Sequence, residues 1–192
     1  MLRNTANEYG LMAIILHWVI AILFIGQLVL GLWMVRLDDQ RLAFELIQWH
    51  KSFGFLLLAL VAIRLIWWVF SRHPPLPADM SPLEKMAAHV AHFLLYCLMV
   101  LLPVTGWALA SASVLAIPTF AFYLFIIPHL PLAASEQAEA FWDNTHTLLG
   151  YFALALVAIH ILAALRHHFW LRDDLLKRMV WPAHNGPTHK QS

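Results

Sequence analysis

The chain has 192 residues, of which 61% are hydrophobic and 12% are charged, and its net charge is +1 with histidine neutral. A soluble domain carries about twice that charged fraction, so the composition indicates an integral membrane protein and offers no basis for nucleic-acid binding. Cys97 is the single cysteine, which excludes an internal disulfide and a cysteine-rich metal site. The twelve histidines make histidine chemistry the leading question.

Four apolar stretches are long enough to cross a bilayer, which takes about 20 residues. They are residues 11–35, 49–70, 86–111 and 146–168. The first is too long for a signal-peptide core and lacks a clear cleavage pattern, so it predicts a retained helix. A fifth run, 114–132, contains Pro118, Pro128 and Pro131. Because prolines disrupt helices, we expect a short interfacial or re-entrant segment between helices 3 and 4.

The basic residues predict how these helices are oriented. With four spans, one side holds Arg3, Arg72, Lys85, Arg166, Arg172, Lys177, Arg178 and Lys190, and the other holds only Arg36, Arg41 and Lys51. Positive residues mark the cytoplasmic side, so we expect both termini in the cytoplasm. The predicted fold is all-α: residues 1–192 form one membrane domain, a four-helix bundle, with a disordered tail at 182–192.

The histidines of the last span are spaced for two stacked cofactors. From His146 to His160 a helix rises about 21 Å, and its rotation returns to within about 40°. Both rings therefore point to one face, near opposite membrane surfaces. His17 in the first span matches the depth of His160, and His50 at the start of the second span matches His146. The sequence thus predicts two bis-histidine sites, an inner and an outer one.

Residues around these pairs suit a flat cofactor. Gly54 and Gly150 each follow an outer-site histidine by four residues, a spacing that shares a helix face, and glycine lets a porphyrin approach the backbone. Arg64, late in the second span, lies near the inner depth. We therefore expect Arg64 either to pair with a haem propionate or to extend its charged group to the membrane interface.

Two alternative roles compete for the histidines. A lone membrane histidine is often a hydrogen-bonding residue between helices, although two depth-matched pairs weigh against this. A zinc or iron transporter usually has carboxylates or larger histidine clusters, and the four apolar stretches contain no Asp or Glu. Two histidines would fill both axial positions of a haem iron, which favours electron transfer over oxygen binding.

Several motifs together resemble the prokaryotic cytochrome b561 family. They are ILHWVIAILF, GLWMV, WHKSFGFLLLALVAIRL, AAHVAHFLLY, HTLLGY, AIHILAALRHHF and RDDLLKRM, and they cover nearly all of the chain except 112–140 and the tail. The resemblance implies a four-helix cytochrome of the bacterial inner membrane with two haem b groups. It places the iron ligands at His17, His50, His146 and His160.

The same resemblance implies electron transfer between haem b and a quinone, either ubiquinone or menaquinone. The quinone site of such relatives corresponds here to His92 and His167. A lysine of that site is replaced by Asp79 in this chain, and Lys85 or Arg72 are the possible substitutes.

Some members resemble superoxide oxidases, which pass an electron from periplasmic superoxide to ubiquinone. An anion is attracted by positive potential, but the outer side holds three basic residues, Arg36, Arg41 and Lys51, against six acidic ones. The three basic residues could instead bind the outer propionates. Three functions therefore compete: an electron-transfer cytochrome with an unknown donor, a superoxide:ubiquinone oxidoreductase, and a non-redox haem or metal transport protein. The sequence leaves open the donor, the direction of transfer, the quinone type, the haem potentials and the oligomeric state.

Overall fold

The computed structural model describes residues 1–76 and 80–182, and it is mostly helical. The tail predicted to be disordered lies outside these ranges from residue 183 onward. The elements are α1 (Leu11–Met34), α2 (Gln40–Val69), α3 (Pro82–Ala112), β1 (Thr119–Ala121), β2 (Phe125–Ile127), α4 (Glu136–Arg166) and α5 (Leu175–Arg178). Between α4 and α5 the chain continues as a π-helical turn, His167–Leu171. Within the described residues, four helices are long and apolar enough to cross a membrane, which confirms the predicted number of spans.

Three of these helices begin before the apolar stretches that predicted them, because polar residues cap them outside those stretches. The Asp39 side chain accepts hydrogen bonds from the backbone N–H groups of the first turn of α2. Ser81 forms a capping box with Glu84 at the start of α3, and Ser135 caps α4. Such caps supply acceptors for N–H groups that have no partner inside the helix. Hydropathy detects only the membrane part of each helix.

The core lies midway along the bundle and draws on all four long helices. Its buried members are Ile20, Phe24, Leu57, Val61, Leu98, Met99, Leu102, Ala153 and Leu156. Consecutive helices pack side by side, and α1 also contacts α4, which closes the bundle. Because lipid tails are as apolar as leucine, such helices associate mainly through close packing and hydrogen bonds. The exposed apolar side chains of the outer helix faces are those expected to meet lipid.

The segment between α3 and α4 is a short β-hairpin, a departure from an all-α fold. Strands β1 and β2 pair antiparallel, with Phe120 opposite Ile126. Phe122 and Tyr123 form the tight turn with φ of 50° and 57°, a left-handed conformation typical of such hairpin turns. The prolines that argued against a fifth helix flank these strands.

Two buried polar residues of α2 attach this hairpin to the bundle. The Gln48 amide donates to the Pro118 carbonyl at 3.2 Å and accepts from the Phe120 N–H at 3.2 Å. The Ser52 hydroxyl accepts from the Phe122 N–H at 3.0 Å and lies 2.9 Å from the Phe120 carbonyl. Gln48 and Ser52 are each 1% exposed. Their side-chain amide and hydroxyl groups are paired with the backbone of the hairpin, as buried polar groups usually are.

The N-terminal segment, the connection between α2 and α3, and the C-terminal segment meet at one end of the bundle, called the inner end below. The Asn4 amide donates to the Arg72 carbonyl at 2.8 Å, and the Arg178 guanidinium donates to the Pro75 carbonyl at 3.1 Å. The Trp18 indole N–H donates to the Met179 carbonyl at 2.7 Å. The hairpin lies at the opposite, outer end. Both ends of the described chain therefore share one side, and its assignment to the cytoplasm stays a prediction.

Candidate cofactor site

The structure brings the rings of His50 of α2 and His146 of α4 together at the outer end. Their ring centroids are 6.2 Å apart, and the ring planes are nearly perpendicular at 89°. Two imidazoles on opposite sides of one metal, each bound at about 2.0–2.1 Å, have ring centres roughly 6 Å apart. The separation therefore fits a single metal atom between the rings.

A hydrogen bond behind His146 leaves its other nitrogen available as a ligand. The Thr105 hydroxyl donates to the Leu101 carbonyl at 2.8 Å, so its oxygen is the acceptor for the His146 Nδ1, 3.1 Å away. Nδ1 must then carry the proton, and Nε2 keeps its lone pair. Such partners commonly orient metal-binding histidines. The arrangement fits a metal bound at Nε2.

Glycines on the other two helices let these rings lie close to the backbone. A Cβ atom at Gly31 of α1 would lie 3.3 Å from Cε1 of His50, and one at Gly106 of α3 would lie 3.1 Å from Cε1 of His146. Sequence reasoning missed both glycines. Their depth in α1 and α3, opposite the outer-site histidines, was the available signal.

The two glycines selected from the sequence have a different environment. A Cβ at Gly54 or at Gly150 would meet nothing within 4 Å beyond the neighbouring backbone of its own helix. Gly26 has the same open space but is exposed, whereas Gly54 and Gly150 are partly buried on the helices that carry the outer histidines, where glycine permits close approach of a flat cofactor. The residues present therefore fit a porphyrin.

At the inner end, His17 is joined to Arg64 and Tyr96. The Arg64 guanidinium donates from Nε to the Tyr96 hydroxyl at 2.8 Å and from Nη2 to Nδ1 of His17 at 3.2 Å. Among the described residues, no carboxylate lies within 4 Å of Arg64. A half-buried cation in a membrane helix is costly unless an anion pairs with it. The prediction that Arg64 pairs with a carboxylate of the cofactor therefore fits this site.

His160 lies beside His92 in this structure. Their ring centroids are 5.3 Å apart at an interplanar angle of 72°. His17 lies within electrostatic range of both, so the three histidines and Arg64 form one inner cluster. From the sequence, His17 was expected to be the partner of His160 because the two lie at the same depth. His92 was expected at a quinone site, and its contact with His160 was not predicted.

His167 is buried at the start of the π-helical turn. Its Nδ1 lies 2.5 Å from the Asp173 carboxylate, and the Asp173 N–H donates to the His167 carbonyl at 3.2 Å. The turn ends at Arg172, whose φ of 56° is left-handed. Single π-helical turns often mark functional positions. Asp173 was not selected from the sequence, and Asp79 lies outside the described residues.

The three basic residues of the outer end, Arg36, Arg41 and Lys51, have separate environments. Arg41 pairs with Glu45 at 3.4 Å, four residues along the exposed surface of α2. Arg36, which follows the end of α1, donates to the Leu32 carbonyl of that helix. Lys51 is half-buried next to His50 in sequence. Of these three residues, Lys51 is therefore the candidate cation for an anion pocket beside His50.

Larger groups of metal ligands are absent from the part of the chain that the structure describes: no three His, Cys, Asp or Glu side chains are placed to hold one metal ion. Pairs of histidines remain as the candidate ligands. A pair suits a metal whose other positions are supplied by a cofactor, as in haem, where the porphyrin nitrogens occupy the equatorial plane.

Comparison with known proteins identifies the family. The description "Prokaryotic cytochrome b561" belongs to the family profile that matches residues 8–182. The chain is 37% identical to cytochrome b561 homolog 2 of Escherichia coli (strain K12) over 182 residues, 92% of this chain and 93% of that protein. It is 33% identical to the probable superoxide oxidase CybB of Yersinia pestis over 131 residues, 68% of this chain and 72% of that protein. The chain belongs to the prokaryotic cytochrome b561 family, and it is a multi-pass bacterial membrane protein of a family that binds haem b and transfers electrons.

Proposed function

We propose that the chain transfers electrons across the bacterial inner membrane, between a donor at the outer side and a quinone at the inner side. The observation that carries the proposal is the outer pair: the rings of His50 and His146 lie 6.2 Å apart, and Thr105 leaves Nε2 of His146 available for a metal. These two residues would hold one haem b. When bound, haem supplies one-electron chemistry, and two axial histidines close its iron to oxygen.

The inner cluster would hold the second haem b through His17 and His160. Arg64 lies half-buried beside His17 and lacks a carboxylate partner among the described residues. Its guanidinium donates to Nδ1 of His17, which places the ring proton on Nε2, so binding of iron at Nε2 would require Arg64 to turn from His17 to an anion of the cofactor. A propionate at Arg64 would supply the missing anion, and the Tyr96 hydroxyl would share it. The two sites would then lie about 21 Å apart by helix rise from His146 to His160.

A quinone, ubiquinone or menaquinone, would be reduced near His92 and His167. His92 contacts the inner ligand His160, so a quinone there would be within reach of the inner site. His167 is oriented by Asp173, and a histidine held by a carboxylate is suited to proton transfer. Quinone reduction consumes protons, so this pair supports a site that opens toward the inner end.

Charge supports the orientation of the bundle. The inner end carries the ion pair of Arg166 with Glu84 and the basic residues of α5, and basic residues favour the cytoplasm. The β-hairpin would then lie in the outer interface. Leu124 is 80% exposed and Phe125 is 62% exposed, and no Asp, Glu, Lys or Arg occurs within residues 114–132. Lipid headgroups and acyl chains suit such a surface.

A second candidate function is superoxide:ubiquinone oxidoreductase activity. It is favoured by the 33% identity to a probable superoxide oxidase. Lys51, which is half-buried and adjacent to His50 in sequence, would be the candidate cation, whereas Arg41 pairs with Glu45. Rapid haem reduction by superoxide, with quinone as the acceptor, would distinguish this activity from electron transfer with another donor.

The proposal is tested by haem content per chain in detergent-purified protein, measured as the pyridine haemochrome, with a reduced-minus-oxidised spectrum. We expect two b haems with low-spin bands. His50→Ala and His160→Ala should each retain one haem. His129→Ala, an exposed histidine at the outer end, is the matched control and should retain two. Two haems in either ligand variant, or fewer than two in the unsubstituted chain, would overturn the assignment.

A further inference from the structure

The two histidines of the outer pair are held differently. Nδ1 of His146 has a partner in Thr105 at 3.1 Å. Nδ1 of His50 is buried and has no hydrogen-bond partner in the structure. A histidine that binds a metal through Nε2 carries its proton on Nδ1, and that proton normally goes to an oxygen acceptor. His50 therefore needs an acceptor close to its Nδ1 edge.

Helix α1 is the element that faces this edge. A Cβ at Gly31 would lie 3.3 Å from Cε1 of His50 and 3.9 Å from Nδ1. Nε2 lies 4.0 Å from the same position, so Cε1 and the two nitrogens beside it are all turned toward α1. An acceptor for His50 should come from α1 within about one helical turn of Gly31.

One polar side chain of α1 meets this requirement. Gln27 precedes Gly31 by four residues, so the two share a helix face. Its side chain continues the interior stripe of Ile20 and Phe24, and the residue is 9% exposed. Its Oε1 is buried and has no hydrogen-bond partner. An unpaired buried amide oxygen is costly, so both Gln27 and His50 would gain from a common hydrogen bond.

We propose that Gln27 is the positioning residue of His50: its Oε1 accepts the hydrogen bond from the His50 Nδ1–H and thereby orients the ring toward the outer metal site. The inference rests on the proposed function, since it assigns His50 as an axial ligand. Gln27 orients His50 through a hydrogen bond to Nδ1, as Thr105 does for His146. Both acceptors come from the helices that do not carry the outer ligands.

The consequence is measurable in the outer haem alone. An acceptor on the distal nitrogen raises the basicity of a ligating imidazole, and a more basic ligand favours oxidised iron. Gln27→Leu removes the acceptor at similar size. It should raise the midpoint potential of the outer haem and speed loss of that haem by about 10–100-fold, while the inner haem keeps its potential. Gln27→Glu retains an acceptor oxygen and should leave the outer potential at or below that of the unsubstituted chain.

The experiment is a spectroscopic redox titration of the purified two-haem protein. The outer component is identified as the one that disappears in His50→Ala. Thr105→Val is the positive control, because its contact with the other outer histidine is present in the structure, and it should shift the same component upward. Gln27→Met provides a second apolar variant of similar length if Gln27→Leu is not recovered from membranes.

The outcomes separate the inference from the proposed function. If Thr105→Val shifts the outer component but Gln27→Leu and Gln27→Met match the unsubstituted chain in potential and haem retention, the role of Gln27 is overturned and the function stands. If the chain lacks two haems, or if His50→Ala keeps both, the proposed function fails and the inference fails with it. An upward shift in both apolar variants, reversed in Gln27→Glu, establishes the role.

Discussion

Replacing Gly106 by alanine would press directly on one outer ligand. The new Cβ would lie 3.1 Å from Cε1 of His146, whereas carbon atoms in good contact are about 3.5–4.0 Å apart. The ring would have to withdraw by about 0.4–0.9 Å to restore normal contact. Productive geometry at such sites tolerates displacements of only about 0.5 Å. We therefore expect Gly106→Ala to displace His146 from its position opposite His50.

Gly106→Ala should selectively weaken retention of the outer haem, although the same substitution should stabilise helix α3. Alanine favours a helix over glycine by about 0.8–1.0 kcal/mol, so α3 should gain local stability. Outer haem retention should fall by about 10–100-fold, as when the support of a metal ligand is lost, which corresponds to about 1.4–2.7 kcal/mol. The assay is the rate of haem transfer from the purified cytochrome to excess apomyoglobin, with the remaining b haem measured per chain.

Two further glycine variants calibrate the result. Gly31→Ala places a Cβ 3.3 Å from the His50 ring, and a Cβ at Gly26 would meet nothing within 4 Å. The rate of haem loss should therefore be greatest in Gly106→Ala, smaller in Gly31→Ala, and unchanged in the control Gly26→Ala. If Gly106→Ala loses haem no faster than Gly26→Ala, the His146 ring does not hold the outer haem in the position described.

Three further predictions address other parts of the molecule. Gly54→Ala and Gly150→Ala should each weaken haem retention although a Cβ there meets nothing within 4 Å beyond the neighbouring backbone of its own helix. Normal retention in both would remove these glycines from the cofactor surface. Asp173→Asn should keep both haems and slow quinone reduction about 100-fold or more, the lower end expected for a lost proton-transfer group, because the carboxylate at 2.5 Å orients His167. Asp174→Asn is the control, and equal rates in the two variants would exclude the pair from the reaction. Burial raises the pKa of Tyr9, so the difference between absorbance titrations of the unsubstituted chain and of Tyr9→Phe should show an ionisation above pH of about 10. Because the folded form retains that proton, stability should fall as the pH rises past the ordinary pKa. Ionisation of Tyr9 near the ordinary value would show that the N-terminal segment does not bury it.

Much of the site could be anticipated because helix geometry converts sequence spacing into depth. The fourteen residues from His146 to His160 place two rings at different depths of one face, and matching positions on α1 and α2 suggested their partners. In the structure, the rings of His50 and His146 lie together, and Arg64 contacts His17. The assignment of these residues as ligands stays a prediction for the haem assays. Depth alone did not distinguish His17 from His92 as the near neighbour of His160.

The residues that support the histidines could not be anticipated, because their roles depend on neighbours far apart in the chain. Thr105 lies 41 residues before His146, and Gly31 is important only because α2 brings His50 against it. Gln48 and Ser52 flank His50 in sequence, yet they bind the hairpin 70 or so residues later. Rotation of each helix about its own axis sets these contacts, and no local pattern reports it.

The sequence by itself determined that the chain is a four-span membrane protein with histidines at two depths, because apolar length and helical rise are properties of single segments. The tertiary structure decided which residues stand behind those histidines, that the segment after α3 is a β-hairpin, and that His167 pairs with Asp173. Each of these depends on which faces of the helices meet, and side-chain hydrogen bonds in a membrane interior form only where a complementary group lies within about 3 Å.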